Sequence, residues 1–316
     1  MNVTEDQPNR TVAAIDCGTN SIRLLIADPA DGGGLIDRDR RTEIVRLGQG
    51  VDATGEFHPD ALVRTFAAVD GYAELITAAG VPTDRIHFVA TSASRDAKNR
   101  DEFFEGVRER LGVLPDVISG DREAQLSFTG ALSRVRPEAG PVLVMDIGGG
   151  STEFIVGTAT AEMTSAISLD IGSVRVTERF LKSSPPTADE LAAAEAYVDG
   201  LLDGSEVPFG GIGSWIGVAG TATTLAGVYL RLVHYDRAQV HGSVIPRAGL
   251  DELLARLSQL TVAEIRALPS MHPGRADVIT GGTLIACRVA ARTPVPELVV
   301  SESDILDGIA LELLTR

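Results

Sequence analysis

The sequence predicts an α/β protein made of two duplicated domains, on three observations. Residues 142–156 read VLVMDIGGGSTEFIV: a buried apolar strand, an aspartate, a glycine turn and a second apolar run. Residues 12–26 read VAAIDCGTNSIRLLI, the same order of strand, aspartate, small-residue turn and strand. A shift of 130 positions (146 minus 16) lays Asp16 on Asp146, Gly18 on Gly148, Ser21 on Ser151 and Arg23 on Glu153. Self-similarity at that distance marks a duplicated domain rather than a short repeat array. Finally, the chain has 316 residues, about two domains' worth, and 33 glycines, which suit the many turns of an α/β protein.

Residues 1–10 read as a polar tail without the apolar core of a signal peptide. No run reaches the roughly 18 apolar residues of a membrane span. Strands are expected near 12–17, 21–28 and 35–47, turning at Gly18 and at 32–34. Arg46, in the segment IVRLGQG, faces either a ligand or solvent. Pro59 suits a helix start and Gly80 a helix end, with Leu62, Phe66, Val69, Tyr72 and Ile76 at helical spacing between them. A strand at 86–90 leads into TSASRDAKN, residues 91–99. That segment sets Thr91, Ser92, Ser94, Arg95, Lys98 and Asn99 just past a strand end, where a ligand site or a capped, solvated helix start would lie. A helix through Phe103, Val107 and Leu111 closes at Gly112, and a strand follows at 113–118. Asp121 is the expected N-cap of the next helix, with Glu123 in its first turn.

Pro137 and Pro141 flank the crossover into the second domain. Helices are expected there at 187–203, 249–258 and 274–292, with a loop at 183–187. Residues 215–228, WIGVAGTATTLAGV, read as strand, glycine turn and helix.

The net charge of −16 argues against a general nucleic-acid binder, so a polyanionic substrate would need a local basic pocket. Arg95, Lys98, Arg100, Arg122 and Arg275 are the candidates for it. Cys17 and Cys287 form no CxxC or His–Cys cluster, which argues against a disulfide framework and a structural zinc site. They read as reduced packing residues of a cytoplasmic protein. The five histidines show no ligand spacing, with His272 a substrate-channel candidate. No Ser–His or Cys–His pair stands out, so a covalent intermediate is not expected.

In the turn at 148–151, glycines would let the backbone approach a ligand while successive amides cradle phosphate oxygens. Asp146 and Glu153 could hold a hydrated divalent cation beside it. The alternative is a plain hairpin with a glycine turn.

The two hairpins resemble the phosphate-binding hairpins of the actin, sugar-kinase and Hsp70 type of ATPase fold. DCGTNSIRLL (16–25), TSASRDAKN (91–99), SGDREAQLSFTG (119–130), DIGGGSTE (146–153), SLDIGSVRVTERF (168–180) and GVAGTATTLAG (217–227) follow one another in the chain. In that order they resemble the exopolyphosphatase and guanosine-pentaphosphatase (Ppx/GppA) family. GRADVITGG (274–282) and SESDILDGIAL (301–311) match it too, so the likeness runs from 12 to 312. Longer members carry a C-terminal helical extension, and this chain resembles the short two-domain form.

The resemblance implies two duplicated actin-like (ribonuclease H-like) domains with a cleft between them. The first would comprise 1–131 plus a returning helix within 301–316, and the second 132–300. It implies an exopolyphosphatase that releases terminal orthophosphate from inorganic polyphosphate by metal-assisted water attack, with Mg²⁺ or Mn²⁺. Glu123 would orient the water, since a carboxylate of pKa about 4.3 is a weak base at neutral pH. Asp146 and Glu153 would hold the metal and serve the water. The amides of Gly148, Gly149, Gly150 and Ser151 would line the phosphate, with Asn20, Ser21 and Arg95 also contacting it. Arg23 would either contact it or pack in its hairpin. The alternatives are a guanosine pentaphosphate (pppGpp) phosphohydrolase of the stringent response, or a guanosine-nucleotide sensor without turnover. Intact Glu123, Asp146 and Glu153 argue against the sensor. The third loop has no aromatic before Tyr229, which favours polyphosphate and implies that a bulky residue at Thr221 changes little. The remaining expectations are a homodimer and no nucleic-acid or membrane partner.

Overall fold

A computed structural model describes residues 10–315 except 20, 32–33, 50, 92–93, 96 and 138–139. The tail at 1–9, Asn20, Ser92 and most of the turn at 32–34 therefore lie outside the described residues. The chain divides into two compact units, Met1–Gly130 with Ile305–Arg316, and Ala131–Asp304.

The first unit is built on the five-stranded sheet β3-β2-β1-β4-β5. Its strands are β1 (Val12–Cys17), β2 (Ser21–Pro29), β3 (Leu35–Ile44), β4 (Ile86–Ala90) and β5 (Asp116–Val117). β1 pairs antiparallel with β2 and parallel with β4. Strand period 2 sends Ala13, Ile15 and Cys17 to one face and Val12 and Ala14 to the other. The first face is covered by α1 (Pro59–Ala78) and α2 (Arg100–Leu111), through Leu62, Val69, Tyr72, Phe103 and Val107. The second is covered by Leu126 of α3 (Gly120–Leu132) and by the C-terminal helix, Ile305–Thr315. Both faces being buried, β1 reads as an unbroken apolar run.

Pro59 opens α1 behind a His58 cap, and Gly112 closes α2 in the left-handed region at φ 74°. At α3 the expected Asp121 cap is displaced. The helix starts at Gly120, and the Ser119 hydroxyl accepts the Arg122 amide at 3.2 Å.

The second unit carries a six-stranded sheet in the order β10-β11-β9-β6-β7-β8. Its strands are β6 (Val142–Ile147), β7 (Thr152–Gly157), β8 (Met163–Leu169), β9 (Ser214–Val218), β10 (Val244–Pro246) and β11 (Glu297–Val300). The main helices are α4 (Ser173–Phe180), α5 (Ala188–Asp203), α6 (Ala219–Tyr229), α7 (Arg247–Leu257) and α8 (Ile279–Ala290). α5 opens on a capping box in which Thr187 and Glu190 satisfy each other's backbone amides. Leaving out edge strand β10, the sheet repeats the first unit's order, with β8-β7-β6-β9-β11 in place of β3-β2-β1-β4-β5. The units are two actin-like α/β domains. The 130-residue echo is geometric as well: Gly18 N–H donates to Ser21 O at 2.9 Å, and Gly148 N–H to Ser151 O at 3.0 Å.

Burial pushes both thiols up, Cys287 to about 12, so neither is the thiolate that a nucleophile requires. Among the described residues no helix is long and apolar enough to cross a membrane.

Candidate active site

In the second unit the glycine turn is held from behind. Across a planar trans peptide, the carbonyl of one residue and the amide of the next point in opposite directions. The Gly148 carbonyl accepts the Ser173 amide at 2.9 Å and its hydroxyl at 3.1 Å. The Gly149 carbonyl accepts the amides of Val174 and Arg175, each at 3.0 Å. The Gly150 carbonyl accepts Arg175 Nε at 2.7 Å. These carbonyls face the first turn of α4, so the amides of Gly149, Gly150 and Ser151 face away from it. Gly172 permits the approach, because a Cβ there would stand 2.1 Å from the Gly149 oxygen. Gly148 departs from expectation: its amide closes the turn onto Ser151 O at 3.0 Å instead of lining a phosphate.

Beneath the turn, Asp146 and Glu153 face each other in register on β6 and β7, so their side chains share one face of the sheet. Glu153 Oε1 accepts the hydroxyls of Ser151 at 2.6 Å and Ser168 at 2.9 Å. The first unit's register puts Arg23 opposite Asp16. There the guanidinium donates to Asp16 Oδ2 at 3.0 and 2.6 Å, so Arg23 packs in its hairpin. Like charges facing each other across two strands are destabilising. One hairpin thus supplies its own cation where the other sets a second carboxylate. An all-oxygen pair of this kind fits Mg²⁺ or Mn²⁺. Among the described residues no group of three or more His, Cys, Asp or Glu could hold a metal, so an ion here would keep waters and take substrate oxygens.

Asp146, Gly148, Gly149, Gly220, Thr221 and Arg275 line a cavity of about 220 Å³. The Arg275 guanidinium lies over Gly220 and donates to Thr224 Oγ1 at 3.3 Å. Burial pulls its pKa down, against the pull of Tyr235, Glu302 and Asp146. Thr221 is buried, and its hydroxyl donates to Ile147 O at 2.8 Å. A bulky residue there would fill the cavity wall, which reverses the expectation that position 221 is indifferent. His272 accepts the Gly274 amide at 3.2 Å and caps a short helical turn. A larger, mostly apolar cavity of about 470 Å³, beside Pro141 and Val156, lies toward the other end of β6 and β7.

In the first unit, Arg95 NH1 donates to Ile118 O at 2.7 Å and reaches Glu123 Oε2 at 3.4 Å. Both side chains are about one-third exposed, at 32% and 36%. The Ser21 carbonyl closes the hairpin turn, and Asn20 lies outside the described residues. Two of the other polar candidates have local duties. Asn99 clasps the Phe57 backbone at 2.8 and 3.2 Å, and Arg122 pairs with Glu312 of the C-terminal helix. Lys98, Arg100 and Arg46 are exposed.

Comparison with known proteins settles the lineage. The model of the Ppx/GppA phosphatase family matches residues 25–316. The chain belongs to this family. A Ppx/GppA relative from Mycobacterium tuberculosis, named exopolyphosphatase 2, is 48% identical, and the match covers 96% of this chain and 98% of that one. The crystal structure of an Aquifex aeolicus Ppx/GppA phosphatase is 32% identical, with a TM-score of 0.87 over 96% of this chain and 98% of that one. An exopolyphosphatase from Cytophaga hutchinsonii is 25% identical, with a TM-score of 0.79 over 96% and 98%. In this Ppx/GppA chain the motif SLDIGSVRVTERF does not by itself disclose what Gly172 and Arg175 do. The signal was a glycine just ahead of a helix that carries an arginine in its first turn.

Proposed function

We propose that this protein is an exopolyphosphatase that removes terminal orthophosphate from inorganic polyphosphate. The observation that carries the reading is the row of amides at 149–151 facing away from α4, next to the Asp146–Glu153 pair. Those amides bind the terminal phosphoryl oxygens, and Arg275 offsets their charge from the cavity wall. Asp146 and Glu153 hold Mg²⁺, which neutralises charge on the transferring phosphoryl when bound. Glu123 orients the attacking water, while Arg95 steadies Glu123 and meets phosphate. Phosphoryl transfer asks little of the base, so orientation is the main service required of Glu123. A cytoplasmic location and a homodimer are part of the same proposal.

Hydrolysis of guanosine pentaphosphate is the second reading, and one observation favours it. Tyr235 is 47% exposed, and its ring lies beside Gly227 of α6. It supplies an aromatic surface for a base that the loop sequence alone did not show. Phosphate release from polyphosphates of several lengths, beside guanosine pentaphosphate and ATP, decides between the two. The expected result is the highest kcat/KM with polyphosphate, falling as salt rises. No release from polyphosphate would refute the proposal.

A further inference from the structure

The segment Asp170–Arg175 belongs to a motif that the proposed chemistry leaves without a task. We infer that Arg175 is a positioning residue of the phosphate turn, acting through the Gly150 carbonyl on the Ser151 amide. This rests on the reading that the turn binds a phosphoryl group.

A run of glycines has no preferred direction for its peptide planes, because glycine visits most of φ/ψ space. An anion site made of amides needs those planes fixed. At Gly148 and Gly149 the fixing is done by backbone amides of the first turn of α4, to which the Ser173 hydroxyl adds a second bond at Gly148. These bonds survive any substitution that keeps the helix. The third plane, between Gly150 and Ser151, is fixed differently. Its carbonyl is held by a side chain, Arg175 Nε at 2.7 Å. Arg175 is itself braced by Asp170 Oδ1 at 3.2 Å from NH2, and its side chain is 42% exposed. It is thus the anchor of the Gly150–Ser151 plane that a point mutation can remove without touching the backbone, whereas loss of the Ser173 hydroxyl would leave Gly148 still held by the Ser173 amide.

Glutamine separates this role from a direct charge effect. Its side-chain nitrogen follows Cδ, the same place along the chain that Nε holds in arginine. Arg175→Gln therefore keeps a donor for the Gly150 carbonyl and removes the positive charge. Arg175→Met keeps the length and removes both. The experiment measures kcat and KM for polyphosphate, and inhibition by orthophosphate, in both variants. A hydrogen bond from a charged donor is lost in the methionine variant, so kcat/KM should fall by roughly tenfold or more. The glutamine variant should stay within a few-fold of the parent. Orthophosphate inhibition should weaken in step with KM in the methionine variant only. Equal impairment of both variants would show that the charge, not the donor, matters, and would overturn the inference. Parent-like behaviour of both would overturn it too.

Hydrogen exchange of the peptide spanning 148–176 reads the anchor without any substrate. Faster exchange of the turn is expected with methionine and not with glutamine. If the parent releases no phosphate from polyphosphate, the functional reading fails on its own. The exchange result then still stands for or against the anchor.

Discussion

Replacing Gly220 by alanine should evict Arg275 from the cavity while leaving the fold intact. A Cβ at position 220 would lie 1.6, 1.8 and 1.9 Å from NH1, Cζ and NH2 of Arg275. Carbon contacts sit at about 3.5–4.0 Å, so the guanidinium must retreat by roughly 2 Å. The obstruction is the far end of a flexible side chain and not backbone, so the side chain moves. Gly220 lies in the first turn of α6. Alanine in a helix is favoured over glycine by up to about 1 kcal/mol. Stability should therefore hold or rise slightly. A charged hydrogen bond to phosphate contributes roughly 1.5–3 kcal/mol, so its loss should raise KM for polyphosphate roughly ten- to a hundredfold. The assay pairs kcat and KM for phosphate release with thermal unfolding of the same preparation. Unchanged KM would refute the assignment of Arg275 to the anion. A Tm lowered by several degrees would show that backbone moved, and would refute the geometric reasoning.

Glu123→Gln should keep the fold and polyphosphate binding but lower kcat by about a hundredfold or more, and near-normal turnover would remove Glu123 from the mechanism. Chelation should abolish activity, with Mg²⁺ or Mn²⁺ restoring it, and Asp146→Asn should raise the metal concentration for half-maximal rate about tenfold; full activity after exhaustive chelation would count against the metal site. Burial opposes the charge on Asp199, but hydrogen bonds from Arg288 and Arg292 prevail and hold its carboxyl below its ordinary value. A depressed native pKa gives stability that is present above the unfolded value, near 3.9, and is lost as pH falls through the native one. Asp199→Asn should thus cost roughly 1 kcal/mol at neutral pH and nothing in strong acid, as read by urea unfolding across pH.

The two hairpins were legible because strand period, a terminal aspartate and a small-residue turn recur 130 positions apart. Edges were less so. The strand expected at 113–118 shrinks to Asp116–Val117, since Pro115 has no amide to give a ladder. Similarly, β3 stops at Ile44, and 45–49 turns toward the first hairpin, where Gly48 N–H donates to Thr19 O at 2.8 Å. β8, MTSAISL, went unseen because its small and polar residues carry no strand signal, and β7 supplies the pairing. The helix expected from 274 starts at Ile279, behind a separate turn at Pro273–Arg275 that aims Arg275 at the cavity. At the site, the residue types were readable but their directions were not. Which way a glycine carbonyl points, and whether Arg23 pairs with Asp16, are tertiary facts with no local trace.

A ribosome finishes β4 at Ala90 long before it makes the helix that starts at Ile305. Until then Val12, Ala14, Leu25 and Val89 wait for Ile309, Ala310 and Leu313, which bury that face of the first sheet. Asp307, with no exposed surface, meets Arg40 at 2.8 Å only once that helix arrives. The segment Ala131–Asp304 is continuous and its core includes no residue of that helix. Domains commonly fold in the order they are synthesised. Here the first unit cannot close in that order, because one face of its sheet is covered by Ile305–Thr315, which is made after the whole of the second unit. A message cut short before codon 305 would release a chain with one finished domain and one sticky sheet, a natural target for chaperones and proteases.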